Sequence, residues 1–427
     1  MNILVIGNGG REHALCWKLR LSAGVATIWC APGNAGTARV ATNVAIASTD
    51  IDELLTFARS HEVDLTVVGP EAPLAAGIVD TFRAAGLRIF GPTRAAAMLE
   101  TSKAFAKDFM QRHRIPTAAY RIFTSDMREE ARNWLQDRRY PVVVKADGLA
   151  AGKGVVIARA FDEAAIAVDD MLSGSAFGAA GATIVIEEFL EGIEASVFAI
   201  CDGTRFVTLA PAQDHKRIFD NDLGKNTGGM GAFAPTPHVP TDVLADVKIR
   251  IIKPTFDGMA KDGTPFSGVL FVGIMLTDQG PMVLEYNCRF GDPETQVVLP
   301  LVDADLAELL TQAADGALQG SRLPMHDANA VCVVMASNGY PDSYETGKPI
   351  HGLDAIDESV EGIVVFHAGT TLRGDEVVTS GGRVLGVTAL GENRDFAHTI
   401  GLAYNAVHRI RFDGAYYRTD IGRKALP

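Results

Sequence analysis

Residues 142–158 read VVVKADGLAAGKGVVIA, and no other stretch constrains the fold of this chain as tightly. Two β-branched runs, Val142–Val144 and Val155–Ile157, flank a tip that holds Gly148, Gly152 and Gly154. Short apolar runs of this composition bounded by glycines predict paired strands, so the stretch reads as a hairpin with a glycine-rich tip. Glycines at the tip let backbone N–H groups turn toward a ligand with no Cβ in the way. Lys145 closes the first run and Lys153 lies in the tip, so two cations accompany those amides. The pattern is not the G-x-x-x-x-G-K-[ST] phosphate loop that opens a helix. Only Leu149–Ala151 separate Gly148 from Gly152, Gly154 stands where the hydroxyl residue belongs, and a strand follows. A hairpin that folds over phosphates accounts for the stretch; the alternative is a surface hairpin with solvated lysines.

The N-terminal region alternates strand and helix patterns. Asn2–Ile6, Thr27–Ala31 and Leu65–Val68 read as buried strands, with helical patterns at Arg11–Leu21 and along Ile51, Leu54, Leu55 and Ala58. Such alternation predicts a parallel sheet with helices on both faces, and ligands beyond the carboxyl ends of its strands. Three loops leave strand ends there: GNGGREH at 7–13, PGNAGT at 32–37 and GPEAPL at 69–74. The first resembles G-x-G-x-x-G, but its sixth position is Glu12, and the second strand ends on Ala31–Pro32 with no acid for a ribose hydroxyl. That argues against a nicotinamide dehydrogenase. Gly9 and Gly10 with the adjacent helix N-terminus read as a phosphate holder, or as a plain tight turn. Glu71 is placed to take sugar hydroxyls, or is simply solvated.

At 427 residues the chain exceeds one ordinary core, and length suggests about three domains. An apolar share of 47% with 21% charged residues suits a globular protein. A net charge of −13 argues against a nucleic-acid surface, while local lysines leave room for an anionic small substrate. The five cysteines are odd in number and show no C-x-x-C spacing, which suits a reducing compartment without a disulfide framework or zinc site. No apolar run approaches the ~18 residues of a membrane helix, and MNILVIGNGGREH lacks a signal peptide's basic start. These features together point to the cytoplasm.

Further along, TSKAFAKDFMQRH at 101–113 predicts a helix with Phe105 and Phe109 on one face. Lys103 near its start opposes the helix dipole and calls for a compensating anion. ATIVIEEFLEG at 182–192 reads as a buried strand running into a polar hinge, whose backbone beside Glu187, Glu188 and Leu190 can meet an adenine edge. Glu194 lies within reach of a ribose, although IEEFL is equally readable as a plain strand end. Residues 213–235 are too long for an ordinary connection and read as a functional loop, opened by the charged run Asp214, His215, Lys216, Arg217. In that run His215 carries no assigned role. GVLFVGIMLT at 268–277 reads as a strand, and VLEYNCRFGDPETQ at 283–296 is a second concentrated stretch. Glu285 and Asn287 alternate along a strand, so both oxygens face one side, and such hard ligands suit Mg²⁺. Arg289 shares that face and can fork a carboxylate or phosphate, and Asp292–Pro293 then turns the chain. From about 327 a smaller α+β unit follows, with strands at Ala330–Ala336 and Gly362–Ala368 and a hairpin turning at Gly381–Gly382. Phe396, Ile400, Ala403, Val407 and Ile410 form one helical stripe.

In this order GNGGREHA, APGNAGT, VGPEAPL, KADGLAAGKGV, QDHKR, NTGGMGA and RFGDPETQ make the chain resemble the ATP-grasp superfamily. Within it the chain resembles the phosphoribosylamine–glycine ligases, or glycinamide ribonucleotide synthetases, over essentially its whole length. The resemblance implies a multidomain α/β and α+β protein: a Rossmann-like unit at 1–101, an ATP-grasp unit at 102–326 with a mobile hairpin lid at about 122–190, and a small α+β unit at 327–427. It implies ATP and Mg²⁺ or Mn²⁺, with Lys103 and Lys145 on the phosphates and the Gly148, Gly152, Lys153, Gly154 tip over them. Glu187, Glu188 and Leu190 would meet adenine, Glu194 the ribose, and Glu285 with Asn287 the metal. Gly9, Gly10 and Glu71 would face 5-phosphoribosylamine. Asp214 and Arg289 would hold glycine, Asp292 would join the substrate contacts, and Lys145 and Arg289 would be catalytic. It further implies a monomer or weak dimer with no nucleic-acid or membrane partner. The expected chemistry is activation of glycine as glycyl phosphate and capture by the amine, which needs no protein nucleophile. Rival readings are another ATP-grasp carboxylase or formate-using transferase, which should lack RFGDPETQ, and a non-catalytic nucleotide-binding regulator.

Overall fold

The computed structural model describes residues 1–148, 154–173, 181–320, 322–356, 362–392 and 395–426. Strands β1 (Asn2–Gly7), β2 (Thr27–Pro32), β3 (Thr42–Asn43), β4 (Leu65–Val68) and β5 (Ile89–Phe90) form a parallel sheet in the order β3-β2-β1-β4-β5. Alternate residues of β1 serve different cores. Ile3 and Val5 pack with Leu15 and Leu19, while Leu4 and Ile6 pack with Leu54, Ala58 and Val79. The strand order reverses beside β1, so the loops after β1 and β4 diverge and open a crevice.

The glycine-rich stretch folds as expected. β6 (Tyr120–Thr124), β7 (Val142–Ala146), β8 (Val155–Ala158) and β9 (Thr183–Glu188) form an antiparallel sheet in the order β6-β9-β7-β8. Helices Arg128–Gln136 and Phe161–Leu172 cover it through Ala131, Leu135, Ala164 and Val168. Gly152 and Lys153 at the tip lie outside the described residues.

β10 (Ile193–Asp202) pairs with β11 (Phe206–Thr208) on one side and with a later strand on the other, so further elements intervene first. Residues 213–235 supply β12 (Gln213–Asp214), β13 (Arg217–Phe219), β14 (Leu223–Asn226) and β15 (Gly231–Ala234), rather than one irregular loop. β16 (Ser267–Thr277) and β17 (Gly280–Asn287) complete the sheet β11-β10-β16-β17. The last strands are β18 (Ala328–Ser337), β19 (Ile363–His367), β20 (Thr370–Arg373), β21 (Glu376–Thr379), β22 (Arg383–Glu392) and β23 (Ala415–Tyr416). Their main sheet runs β12-β15-β18-β22-β19, so the segment 213–235 edges the C-terminal sheet. The C-terminal hairpin turns at Gly374, where β20 meets β21 with Arg373 opposite Glu376. It does not turn at Gly381–Gly382. There Gly381 lies against Gly369, and the chain crosses from the hairpin into β22 at a contact a side chain would block. The stripe helix spans Phe396–Val407, with Ile410 buried just beyond it.

All five cysteines are free and buried. Among the described residues no helix is long and apolar enough to cross a membrane.

Candidate active site

The crevice of the parallel sheet, the β6–β9 sheet, β17 and the edge of the C-terminal sheet surround a cavity of about 620 Å³. One wall is cationic. Lys145 ends β7, and its ammonium lies 2.9 Å from Glu187 Oε1 and donates to Leu284 O at 3.2 Å. The other oxygen of Glu187 lies 2.8 Å from Lys107 Nζ. Burial pushes Glu187 up, but the two lysines more than reverse this and hold it below the usual carboxylate range. Lys103 opens the helix Lys103–Arg112 and donates to Gly148 O at 3.3 Å. The anion this position calls for is Asp147, which accepts from Ala104 N at 2.7 Å and from Ser102 Oγ at 3.0 Å. Burial lowers Lys103 and Lys107, the latter to about 8. Ammoniums so placed are suited to a bound polyanion.

The Glu187 carboxylate is committed to lysines, and its backbone lies in the middle of the sheet between Tyr120 and Val143. Its side chain therefore holds Lys145 and Lys107. Glu188 lies at the strand end, where its backbone N–H bonds Ala119 O and its Oε1 accepts from Ala119 N. Glu194 opens β10 and is ion-paired to Lys216.

The facing wall is acidic. Glu285 and Asn287 sit on β17, with Lys216 Nζ 3.8 Å from Glu285 Oε1. Burial pushes the Asp214 carboxyl up to about 8, with Glu294, Glu194 and Glu285 adding to the effect against Lys216. Glu285 is held below the usual carboxylate range by Lys216, Lys145 and Lys103 against its burial, so it is an ionised hard oxygen ligand on this wall, of the kind a divalent cation takes. Among the described residues no three His, Cys, Asp or Glu side chains are grouped to hold a metal on their own. The chain thus offers Glu285 and the Asn287 carbonyl, leaving other positions to phosphate oxygens and water, which is the usual magnesium arrangement.

Arg289 is fully engaged. Nε meets Glu71 at 3.3 Å, Nη1 donates to Phe290 O at 3.2 Å, and Nη2 reaches Asn287 Oδ1 at 3.0 Å and Glu100 Oε1 at 3.1 Å. Glu100 is buried and also accepts from Cys288 N at 2.7 Å. The Arg289 fork meets a substrate carboxylate only by releasing a partner, and Glu71 is the more exposed of the two acids. Asp292 is a cross-link: it accepts from Arg11 N at 3.2 Å and Gln296 Nε2 at 3.0 Å, and lies 3.3 Å from Arg383.

The loop after β1 closes around a carboxylate of its own chain. Gly9 N–H donates to Glu12 Oε2 at 2.6 Å, and Arg11 Nε donates to Glu12 Oε1 at 2.6 Å. A Cβ on Gly7 would lie 2.6 Å from Glu12, one on Gly9 2.8 Å, and one on Gly69 would overlap it. The glycines of two loops admit a carboxylate from the same chain, and Asp292 accepts from the Arg11 amide two residues on. Gly10 packs on Gln296. The Gly9 amide is thus held by Glu12.

Lys107, Lys216, Glu100, Glu294, Arg11 and Arg383 line the cavity and were missed by sequence reasoning. Two signals pointed to them: Lys107 follows Lys103 by one helical turn, and Lys216 stands in the charged run after Asp214.

A lysine-bearing antiparallel sheet thus faces the strand of Glu285 and Asn287 across one cavity. The fold matches the crystal structure of biotin carboxylase from Campylobacter jejuni in a β-γ-ATP complex, with TM-score 0.74 and 14% identity over 99% of this chain and 94% of that one. The class follows from the ATP-grasp (A) domain matched by residues 101–295: an ATP-grasp protein. Residues 1–100 match the N domain of phosphoribosylglycinamide synthetase, 101–295 its ATP-grasp (A) domain and 330–424 its C domain. The chain belongs to the phosphoribosylglycinamide synthetase family. It is 54% identical over 430 aligned residues to phosphoribosylamine–glycine ligase of Escherichia coli O157:H7, covering 100% of this chain and 99% of that one. The enzyme of the same name from Salmonella typhi is 53% identical with the same coverage. The crystal structure of phosphoribosylamine–glycine ligase from Thermotoga maritima aligns with TM-score 0.87 and 34% identity, covering 98% of this chain and 100% of that one.

Proposed function

We propose that this chain joins glycine to 5-phosphoribosylamine with ATP, giving glycinamide ribonucleotide, ADP and phosphate. The observation that carries the reading is a cavity whose cationic wall faces an acidic, oxygen-rich wall, in a chain that matches the family along its whole length. A carboxylate is a poor electrophile. A glycine carboxylate oxygen therefore takes the γ-phosphoryl group of ATP, releasing ADP, and the substrate amine then attacks the acyl carbon of glycyl phosphate and expels phosphate. Neither step needs a protein nucleophile. All five thiols are buried, and burial raises the Cys288 thiol, which lies in the core behind β17, well above its usual value.

Positioning and charge placement carry the catalysis. Lys103 and Lys145 hold the ATP phosphates, beside Gly148 and Gly154. The backbone from Glu188 to Leu190 meets adenine, and Glu194 the ribose. Asp214 takes the glycine ammonium, whose positive charge would return that carboxyl to its ionised form. Arg289 takes the glycine carboxylate as Glu71 turns to the phosphoribosylamine hydroxyls. Mg²⁺, with Mn²⁺ as a substitute, fits Glu285 and Asn287, and when bound neutralises charge on the transferred phosphoryl group. A monomer or weak dimer in the cytoplasm completes the reading.

The test is release of ADP and phosphate with both co-substrates present and with each omitted. Release that needs both, one-for-one with amide product, is expected. Equal release with bicarbonate or formate in place of glycine would refute the assignment.

A further inference from the structure

Lys107 lies one helical turn beyond Lys103, and its side chain is 3% exposed. Its ammonium meets two groups: Glu187 Oε2 at 2.8 Å and Thr117 Oγ1 at 2.7 Å. The second oxygen of Glu187 meets Lys145 at 2.9 Å. One buried carboxylate is therefore divided between two ammoniums, one oxygen to each, and the trio carries an unbalanced positive charge at the cavity wall. Each member is held from behind. Glu187 cannot shift along the sheet, because β9 is paired with β6 at Tyr120 and with β7 at Val143. The Thr117 hydroxyl that receives Lys107 donates in turn to Val283 O at 2.7 Å, and Val283 N bonds Pro116 O at 2.8 Å. Val283 belongs to β17, the strand that carries Glu285 and Asn287. Lys107 thus stands where the hairpin sheet, the Lys103 helix and the oxygen-ligand strand meet.

We propose that Lys107 is a positioning residue for phosphoryl transfer: by holding one oxygen of Glu187, it keeps that carboxylate from closing on Lys145 with both oxygens, so that the Lys145 ammonium faces the nucleotide phosphates. The physical basis is competition for one anion. Without Lys107 the whole carboxylate charge falls on Lys145, drawing its ammonium out of the cavity and cancelling its field there. With Lys107 in place the carboxylate is shared, and the excess charge of the trio points at the cavity. Burial, which holds Lys107 down near 8 against the pull of Glu187, is the cost of keeping a second cation in this position. The proposal rests on the ATP-dependent reading above.

The test is a double-mutant cycle on the full chain, comparing Lys107→Met, Glu187→Gln and the pair, read as kcat and KM for ATP and separately for glycine. Lys107→Met should lower kcat/KM for ATP by roughly 10-fold or more with the glycine KM unchanged. Because Lys107 acts only through Glu187, the double variant should be no worse than Glu187→Gln alone. Wild-type kcat/KM for ATP in Lys107→Met, or losses that multiply in the double variant, would overturn the proposal. Should Lys107→Met fail to fold, Thr117→Val decides. It leaves every charge in place but removes the hydroxyl that receives Lys107, so a smaller fall in the same constant is expected and an unchanged constant is contrary. A wild-type chain that releases no ADP would instead reject the functional reading.

Discussion

Replacing Lys145 with methionine tests the cationic wall most directly. Methionine keeps an unbranched stem but deletes an ammonium 2.9 Å from Glu187 and 3.2 Å from Leu284 O. Two losses follow, and they differ in size. Removing one preorganised charge donor from a reacting site typically costs about 10²–10³-fold in turnover, or roughly 3–4 kcal/mol. Breaking a buried ion pair costs about 3–5 kcal/mol of stability when the surviving charge is left alone. Here Glu187 keeps Lys107 at 2.8 Å, so the stability loss should fall below that range, on the order of 1–2 kcal/mol. It still exceeds the near-zero change expected of an exposed strand-end lysine, because the Lys145 side chain is only 10% exposed. The assay is steady-state ADP release at saturating glycine and phosphoribosylamine, with thermal melting of the same preparation. A folded variant turning over within a few-fold of the parent would refute the reasoning and leave Lys145 as a structural partner of Glu187.

Glu285→Gln removes a carboxylate that burial raises and that Lys216, Lys145 and Lys103 more than bring back down. The Mg²⁺ concentration for half-maximal ADP release should rise at least about tenfold, and an unchanged metal titration would count against the site. Gly69→Ala drives a Cβ into the Glu12 carboxylate and should destabilise by about 1–3 kcal/mol. Adding Glu12→Ala should recover part of that loss in the melting temperature, and a further fall would speak against the glycine cage. Burial keeps His13 well below its usual value and brings His215 and His367 down to about 4. With folded values below the unfolded one near 6.5, their stabilisation is complete above that pH and is lost as pH falls toward 4. The slope is about 1.4 kcal/mol per pH unit for each histidine. Because the raised carboxyls of Asp214, Glu100 and Glu294 act in the opposite sense, the loss is read by difference: from pH 7 to pH 5 the parent should lose more melting temperature than His215→Gln, and parallel profiles would contradict it.

Features that repeat over a few residues were legible in the sequence. The run Asn2–Ile6 alternates between two cores because strand side chains alternate, and the 142–158 hairpin follows from two β-branched runs and their glycines. The oxygen pair Glu285 and Asn287 is equally local, since alternate strand positions share a face. The ordered motifs carried the family along the whole chain. Contacts between distant residues belonged to the tertiary structure. Glu12 looked like a mismatch in a phosphate loop until Gly69, from another loop, closed around it. Arg289 looked like a free fork until Glu71 and Glu100 were folded onto it. Glu187 looked like an adenine contact until the helix bearing Lys107 met β9 and β7. Residues 213–235 looked like a loop because β12 and β15 find their place only at the edge of a sheet whose central strand, β18, begins at Ala328. Periodicity reports which face a side chain takes, whereas the partner of a buried charge is set by the packing of elements far apart in the chain. In this protein those long-range pairings decide which charged side chains are free to meet a ligand.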